Sequence, residues 1–189
     1  DILQHKCSKS TFDGFLTFVI GENGMDLALK FGLPANQIIK TGSWVGPLLV
    51  AAAENGVKKL LLFGYHGKLV KLSGGVFHTH HHLADGRLEI LTSLAVKESI
   101  SLDLIEIISK STSVENALLA LESKNPEHVA LIWGRMANEI EIKSLSYVNR
   151  YLSSSMEIGS VIFDRKRQIR WAGFDGLKQI NSLGLILKS

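Results

Sequence analysis

Side chains that could bind a metal or an anion are concentrated in one stretch of this sequence, GYHGKLVKLSGGVFHTHHHLADGR, which runs from Gly64 to Arg87. It holds closely spaced histidines, glycines and lysines, and it ends with an aspartate and an arginine. Such a mixture is compatible with a metal site, with a loop that binds phosphate groups, or with the wall of a pocket for a large acidic ligand. The spacing of the residues helps to separate these alternatives.

The histidines His78, His80, His81 and His82 suggest a metal site at first. A zinc site needs three or four ligands that converge on one point and are oriented by their neighbours. In an extended segment successive side chains point to opposite sides, so His80 and His82 can share a face that His81 does not. We therefore expect no protein-bound metal, and exposed loop histidines are favoured over a histidine-metal hydrolase.

The glycine loops suggest a nucleotide site, and the first of them reads GENG at residues 21–24. It lacks the G-x-G-x-x-G spacing of dinucleotide-binding folds, and no segment matches the G-x-x-x-x-G-K-[ST] phosphate loop. A single glycine of this kind is more simply explained as a strand end or a tight turn. No Ser-His-Asp order, activated cysteine or diagnostic pair of carboxylates indicates nucleophilic catalysis.

The charged residues of the stretch favour an anion. Lys68 and Lys71 lie three positions apart, which places them on one side of a helical turn. Ammonium groups beside the amides of a helix N-terminus suit carboxylates or phosphates, although a solvated lysine pair fits the same spacing. Asp85 is expected to cap the next helix, and Arg87 in its first turn opposes the helix dipole unless it serves to bind an anion.

Composition indicates an ordinary globular protein. The 189 residues are 46% hydrophobic and 21% charged, enough for a full core and unlike a disordered chain. The net charge of +3 is compatible with a small acidic ligand and too weak to indicate nucleic acid. The single cysteine, Cys7, excludes an internal disulfide and multi-cysteine zinc sites, which favours a reducing, cytoplasmic location.

Membrane insertion is not expected. The longest apolar run, LLVAAA at residues 48–53, is far shorter than the roughly 20 residues of a spanning helix. The chain begins at Asp1 without a methionine or a signal-like segment, so we expect it to be a portion of a longer protein.

Three segments predict strands that each end in a glycine loop: FLTFVIG (15–21), QIIKTG (37–42) and KKLLLFG (58–64). The first two are followed by helix patterns, MDLALKF before Gly32 and PLLVAAAEN before Gly56, the latter with Pro47 at its first helical position. Strand and helix alternation with short connections predicts a parallel sheet with helices on both faces. The expected fold class is therefore α/β, a Rossmann-like three-layer domain with a mostly parallel sheet.

The second half of the chain is expected to add a helical segment and further strands. Residues 88–152 have helical periodicity, and Thr112 with Glu115 resembles a capping box. The segment IGSVIFDRKRQIRWAGF has two β-like runs around DRKR, which predicts a C-terminal β-hairpin or edge strands. We treat 1–189 as a single α/β domain with a helical sub-region at 88–152.

The predicted loops at 21–24, 41–46 and 64–68 all leave the carboxyl ends of their strands. Open α/β sheets bind their ligands at that edge. Composition and spacing thus predict an α/β domain with an anion-binding cleft, but they do not identify the ligand or the reaction.

Part of the stretch resembles the CbiD proteins of anaerobic cobalamin biosynthesis. Their pattern is close to GHIGKLVKLAGG followed by NTHSRVADGRMEIL, where this chain reads GYHGKLVKLSGG and HTHHHLADGRLEIL. Weaker similarity extends to VNRYL and VIFDR downstream, and upstream to Gly21, Gly24, Lys40 and Gly46. The positions that match in the two strings are Gly64, Gly67, Lys68, Leu69, Val70, Lys71, Leu72, Gly74, Gly75, Thr79, His80, Ala84, Asp85, Gly86, Arg87, Glu89, Ile90 and Leu91.

The resemblance implies an enzyme that transfers a methyl group from S-adenosylmethionine to carbon 1 of cobalt-precorrin-5B, giving cobalt-precorrin-6A. Cobalt is then carried by the substrate, an acidic tetrapyrrole-derived macrocycle. No nucleic acid or membrane partner is implied, and the oligomeric state, a homo-oligomer included, stays open. The family's N-terminal portion does not match any part of this sequence, so the alternative is a macrocycle-binding domain or fragment without complete catalytic activity.

The resemblance and the expected sheet edge together suggest the site residues. His80 is the candidate proton acceptor near the ring, and Asp85 has an orienting role beside it. The candidates for substrate binding are Lys68, Lys71, Gly74, Gly75, Thr79 and Arg87. Those for binding the cosubstrate S-adenosylmethionine are Gly21, Gly24, Gly46, Gly64 and Gly67. Tyr65 stands where the family pattern has histidine, and only His80 keeps a family histidine position, which weakens the metal interpretation further.

Overall fold

A five-stranded, mostly parallel sheet forms the centre of the molecule in a computed structural model, which describes residues 2–82 and 85–187. The strands are β1 (Phe15–Ile20), β2 (Ile38–Thr41), β3 (Lys59–Tyr65), β4 (Glu157–Phe163) and β5 (Ile169–Ala172). Their order is β2-β1-β3-β4-β5. Neighbours from β2 to β4 are parallel, and β5 is antiparallel to β4. The expected α/β fold class is confirmed, and the two C-terminal runs form a hairpin whose second strand is the sheet edge.

Helices connect the strands and cover both faces of the sheet. Within the described residues they are α1 (Ile2–Cys7), α2 (Met25–Phe31), α3 (Val45–Glu54), α4 (His66–Ser73), α5 (Arg87–Lys97), α6 (Leu102–Lys110), α7 (Val114–Lys124), α8 (Pro126–Val148) and α9 (Phe174–Ser182), with a 3₁₀ turn at Ala35–Gln37. The expected helical sub-region corresponds to α5–α8. None of the helices described is long and apolar enough to cross a membrane.

Strand side chains alternate between two cores, as the period of two in a β-strand requires. Phe18 and Leu62 belong to the larger core, which contains buried residues of α3–α8 such as Trp133. Val19 and Phe63 belong to the smaller core, which α2 and α9 complete. Both faces of the parallel strands are therefore buried, which explains their nearly continuous apolar sequences.

Two local predictions about helix ends were wrong. Helix α3 begins at Val45, two residues before Pro47, because the Val45 and Gly46 amides both donate to the Phe77 carbonyl oxygen, each over 3.1 Å. Proline fits there because amides of the first turn have no intrahelical acceptor. The N-cap of α7 is Ser113, whose hydroxyl accepts the Asn116 amide, and not Thr112 in a capping box. Glu115 is turned inward instead.

Candidate ligand-binding cleft

A cleft opens at the carboxyl ends of β1 and β3, where the strand order changes direction. The chain passes from β1 to β2 on one side, whereas β3 lies on the other side of β1. Open α/β sheets bind ligands at such a switch point. The cavity has a volume of about 540 Å³ and is lined by residues that include Gly21, Asn23, Tyr65, Lys68, Arg165 and Arg167. Its size falls within the roughly 300–1000 Å³ of small-molecule sites.

Lys68 lies against Gly21 inside this cleft. The backbone at residue 21 has φ +94°, which favours glycine, and a Cβ atom there would be 2.8 Å from Lys68 Nζ, so the lysine side chain would have to move aside. Lys68 is in the first turn of α4, whose amides point toward the same edge of the sheet. An ammonium group beside a helix N-terminus attracts carboxylates or phosphates.

The turn between β4 and β5 is tied to the loop after β1. The guanidinium of Arg167 donates to the Asn23 carbonyl oxygen over 3.0 Å and to Asp26 Oδ2 over 2.6 Å. Arg167 itself has a left-handed backbone with φ 63°, an uncommon conformation for a non-glycine residue. Two walls of the cleft are thereby joined across 144 residues of sequence.

Beneath the cleft, a buried histidine is held on both ring nitrogens. Trp133 Nε1 donates to His66 Nδ1 over 2.9 Å, so the proton of the neutral ring belongs on Nε2. That Nε2 donates to Glu115 Oε2 over 2.8 Å. Burial, followed by the charge of Arg170, lowers the pKa of His66 to about 3. His66 is therefore a neutral hydrogen-bond donor at neutral pH.

Glu115 also supports the wall of the cleft. Its Oε2 accepts the backbone amide of Arg165 over 3.3 Å, and Arg165 lines the cavity. Burial raises the pKa of the Glu115 carboxyl above its usual value, while the Arg165 amide acts in the opposite direction. One carboxylate therefore connects helix α7, the start of α4 and the β4–β5 turn.

Tyr65 is half-buried on the floor of the cleft. Its ring lies edge-on to His66 with 4.7 Å between centroids, and burial raises the pKa of the phenol. A Cβ atom at Gly67 would be 2.4 Å from the Tyr65 ring, so the small residue makes room for it. The charge of Arg87 acts in the opposite direction to burial on the pKa of the Tyr65 phenol, so Arg87 lies near the cleft.

The structure brings the predicted basic and acidic residues close together. Two of the basic side chains, Lys71 and Arg87, already bind groups of the protein itself. Lys71 is fully buried and its Nζ donates to the His80 carbonyl oxygen over 3.2 Å. Arg87 Nε donates to Asp85 Oδ1 over 2.6 Å, and this contact holds the pKa of Asp85 down at about 2. The N-cap position of α5 is Gly86 and not Asp85, which lies one residue earlier and is paired with the Arg87 side chain, but Asp85 Oδ1 still accepts the Arg87 backbone amide at the start of α5 over 3.4 Å.

Most of the predicted glycines have a packing reason for their size. An added Cβ would be within 3.4 Å of a neighbouring atom at Gly24 (Val19), Gly46 (Tyr147), Gly64 (Leu69) and Gly74 (Ile90). Gly75 adopts φ +82° after the end of α4. Of the predicted glycines, Gly21 alone lines the cleft among the residues that the structure describes. The assignment of the others to ligand binding stays a prediction.

The histidine segment forms a row of rings. Centroids of His78 and His80 are 6.4 Å apart, those of His80 and His82 4.9 Å, and Trp44 lies edge-on to His78 at 4.2 Å. The shared face expected for His80 and His82 is confirmed. Thr79 is buried, and its amide donates to the Ser43 carbonyl oxygen over 2.9 Å. Across residues 2–82 and 85–187, no group of three or more candidate ligands is placed to hold a metal.

The network of His66, Glu115 and Trp133 and the contribution of the β4–β5 turn to the cleft were not predicted from the sequence. His66 lies 49 positions from Glu115 and 67 from Trp133, so no local pattern links them. The one available signal was the position of His66 directly after a buried strand, at the edge where ligands bind.

Comparison with known proteins connects this chain to one family. The family model described as "CbiD, C-terminal domain" matches residues 78–173. A protein of Prochlorococcus marinus strain NATL1A, named cobalt-precorrin-5B C(1)-methyltransferase, is 84% identical over 188 residues, which are 100% of this chain and 49% of that protein. A protein of the same name from strain MIT 9313 of that species is 53% identical over 183 residues, 97% of this chain and 48% of the relative.

The chain therefore spans about half the length of the curated relatives it matches. No solved structure matches it.

Proposed function

The chain belongs to the CbiD family, and from that membership we propose that it is part of an S-adenosylmethionine-dependent C-methyltransferase of cobalamin biosynthesis. The proposed reaction methylates carbon 1 of cobalt-precorrin-5B and gives cobalt-precorrin-6A. Cobalt belongs to the substrate in this proposal, and the protein contributes binding, orientation and exclusion of water.

The observation that best supports it is the cleft between the ends of β1 and β3. Its volume of about 540 Å³ suits one nucleoside-sized molecule. Lys68 beside Gly21 would bind the carboxylate of the methionine portion of S-adenosylmethionine, and the amides at the start of α4 would add to that attraction. The half-buried ring of Tyr65 would pack against the apolar part of the ligand.

Methyl transfer from a sulfonium is an in-line displacement. A carbon of the macrocycle supplies the electron pair for the new C–C bond, the S–CH₃ bond breaks, and S-adenosylhomocysteine leaves with the sulfur electron pair. Holding both reactants in near-attack geometry contributes up to about 7–11 kcal/mol to such a reaction. A rigid cleft whose walls are tied together by Arg167 and Glu115 favours that geometry.

The predicted roles of the 78–87 segment fit this proposal on the side of the macrocycle. His80 is exposed, so its imidazole is available to accept a proton or to contact a polar group of the ring. Arg87, held by Asp85, lies within electrostatic reach of Tyr65 at the cleft. Asp85 would then orient Arg87 toward a substrate carboxylate.

A macrocycle-binding module without complete chemistry is the second candidate, because the chain covers only about half of its relatives. Calorimetry on residues 1–189 separates the two. Binding of a corrinoid without binding of S-adenosylhomocysteine would favour the module, and binding of both would favour a portion that carries the cosubstrate site.

The direct test uses the complete protein, cobalt-precorrin-5B and methyl-labelled S-adenosylmethionine under anaerobic conditions. Label is expected on carbon 1 of the ring, with one S-adenosylhomocysteine formed for each methyl transferred. Absence of label from the ring would overturn the proposal.

A further inference from the structure

A second, larger cavity lies beside the β4–β5 turn. Its volume is about 1070 Å³, roughly twice that of the cleft at β1 and β3. We call it the edge groove, since its walls are α2, α7, the β4–β5 turn, the edge strand β5 and residues 184–186. None of the residues predicted from the sequence as substrate ligands lines it.

The edge groove has apolar walls with exposed side chains. Leu119 of α7 is 45% exposed and Ile186 is 76% exposed, and both line it. Phe31 and Trp171 add aromatic surface, with the Arg170 guanidinium 4.5 Å from the centre of the Trp171 ring. A large ligand with an apolar body could bury this surface.

Two of the charged side chains that line the edge groove, both lysines, are available to contact a ligand. Its carboxylates are engaged: Glu115 accepts from His66, while Glu122 and Asp164 both pair with Arg170. Lys30 of α2 and Lys166 of the turn also line the groove. Neither lysine has an ion-pair partner among the residues that the structure describes.

The edge groove adjoins the cleft, because Asp164 and Arg167 line both cavities. Methyl transfer requires the donor and the acceptor to meet, so the acceptor site must border the donor site. Resting on the proposed function, we propose that the edge groove binds the polycarboxylate macrocycle, with Lys30 and Lys166 contacting its acid side chains. The macrocycle would then approach the cleft across the β4–β5 turn, and His80 and Arg87 would contact only the part of the ring that reaches the cleft.

The two sides of the cleft differ in what they offer an acid side chain. On the 78–87 side, Lys71 donates to the His80 carbonyl oxygen and Arg87 is paired with Asp85. On the groove side, two lysines are unpaired in the described structure and the cavity is large enough for a ligand well above nucleoside size. Size and charge together favour the groove as the main binding surface for the macrocycle.

The test measures binding of cobyrinic acid, a corrin that carries free acetate and propionate groups, to the complete protein. In the variant K30E/K166E we expect affinity for cobyrinic acid to fall roughly tenfold or more, because two attractive contacts become repulsive. Affinity for S-adenosylhomocysteine should stay within about twofold. The fully esterified corrin should bind the wild-type protein weakly, since it lacks the carboxylates.

The matched control is K9E/K124E, which makes the same change in net charge at two exposed lysines that line neither cavity. It should bind both probes as the wild type does. If K30E/K166E retains wild-type affinity for cobyrinic acid, or if K68E alone abolishes it, the edge groove is not the macrocycle site. Failure of the wild type to bind S-adenosylhomocysteine would count against the proposed function separately, and failure to bind cobyrinic acid would overturn the groove assignment.

Discussion

Glu115 and His66, 49 residues apart, are joined by a 2.8 Å hydrogen bond in which the histidine donates from Nε2. The same Glu115 oxygen accepts the Arg165 amide from the turn that lines the cleft. Helix α7 is thereby connected to the edge of the sheet where the cleft opens. The bond between His66 and Glu115 is buried and the one to Arg165 is partly buried, so changes to Glu115 should affect both stability and the shape of the cleft.

Replacing His66 should change the pH dependence of stability. Its folded pKa of about 3 lies below the unfolded value of about 6.5, so the unfolded chain binds a proton that the folded chain does not. This stability is fully present above pH 6.5 and is lost as the pH falls toward 3. In H66F, the free energy of unfolding, measured with urea between pH 4 and 7, should lose this dependence. The exposed-residue variant H5F should keep the wild-type slope, and an unchanged slope in H66F would contradict the assignment.

Removing the Glu115 carboxylate should weaken the cleft as well as the fold. In E115A, the His66 Nε2–H and the Arg165 amide lose their acceptor, at a cost of about 1–3 kcal/mol for the buried His66 donor and less for the partly buried Arg165 amide. We expect a lower melting temperature and weaker binding of S-adenosylhomocysteine, while E115Q recovers part of both because its amide oxygen can accept the same two bonds, although without the negative charge. The exposed pair of Glu106 with Lys110 supplies the control E106A, which should change stability by less than about 0.5 kcal/mol. Loss of stability in E115A without loss of affinity would show a purely structural role.

Gly21 and Gly56 form a matched pair for testing the cleft. Both have a positive φ, +94° and +76°, but a Cβ at Gly21 meets Lys68 Nζ whereas one at Gly56 meets open space. Alanine should therefore destabilise the protein at both positions, by roughly 1 kcal/mol. Only G21A should also weaken the binding of S-adenosylhomocysteine, measured by calorimetry. Equal effects of G21A and G56A on the affinity for S-adenosylhomocysteine would show that Gly21 has no specific role in binding this ligand.

The sequence predicted the framework of the site better than its contacts. Glycine loops after buried strands placed Gly21 and Lys68 at the same edge, because parallel strands bring their carboxyl ends together. The burial of Lys71 was not predictable, since a three-residue spacing does not tell which side of a short helix will be covered by a later loop. The same holds for Arg167 and Asn23, which meet only because β4 inserts beside β3.

Lys68 and Lys71 should therefore behave differently, although the sequence pairs them. Lys68 is partly exposed in the cleft, so K68M should leave stability nearly unchanged and reduce affinity for S-adenosylhomocysteine by about tenfold, the loss of one charged hydrogen bond. Lys71 is buried and its Nζ donates to the His80 carbonyl oxygen, so K71M should loosen the 78–87 segment and lower the melting temperature. Burial lowers the pKa of Lys71, so the site disfavours a charge and a neutral side chain is tolerated there. A side chain of similar length also fills the buried space, which alanine would leave empty. Calorimetry and thermal unfolding of both variants check this contrast, and a tenfold loss of affinity in K71M with wild-type stability would instead place Lys71 at the ligand.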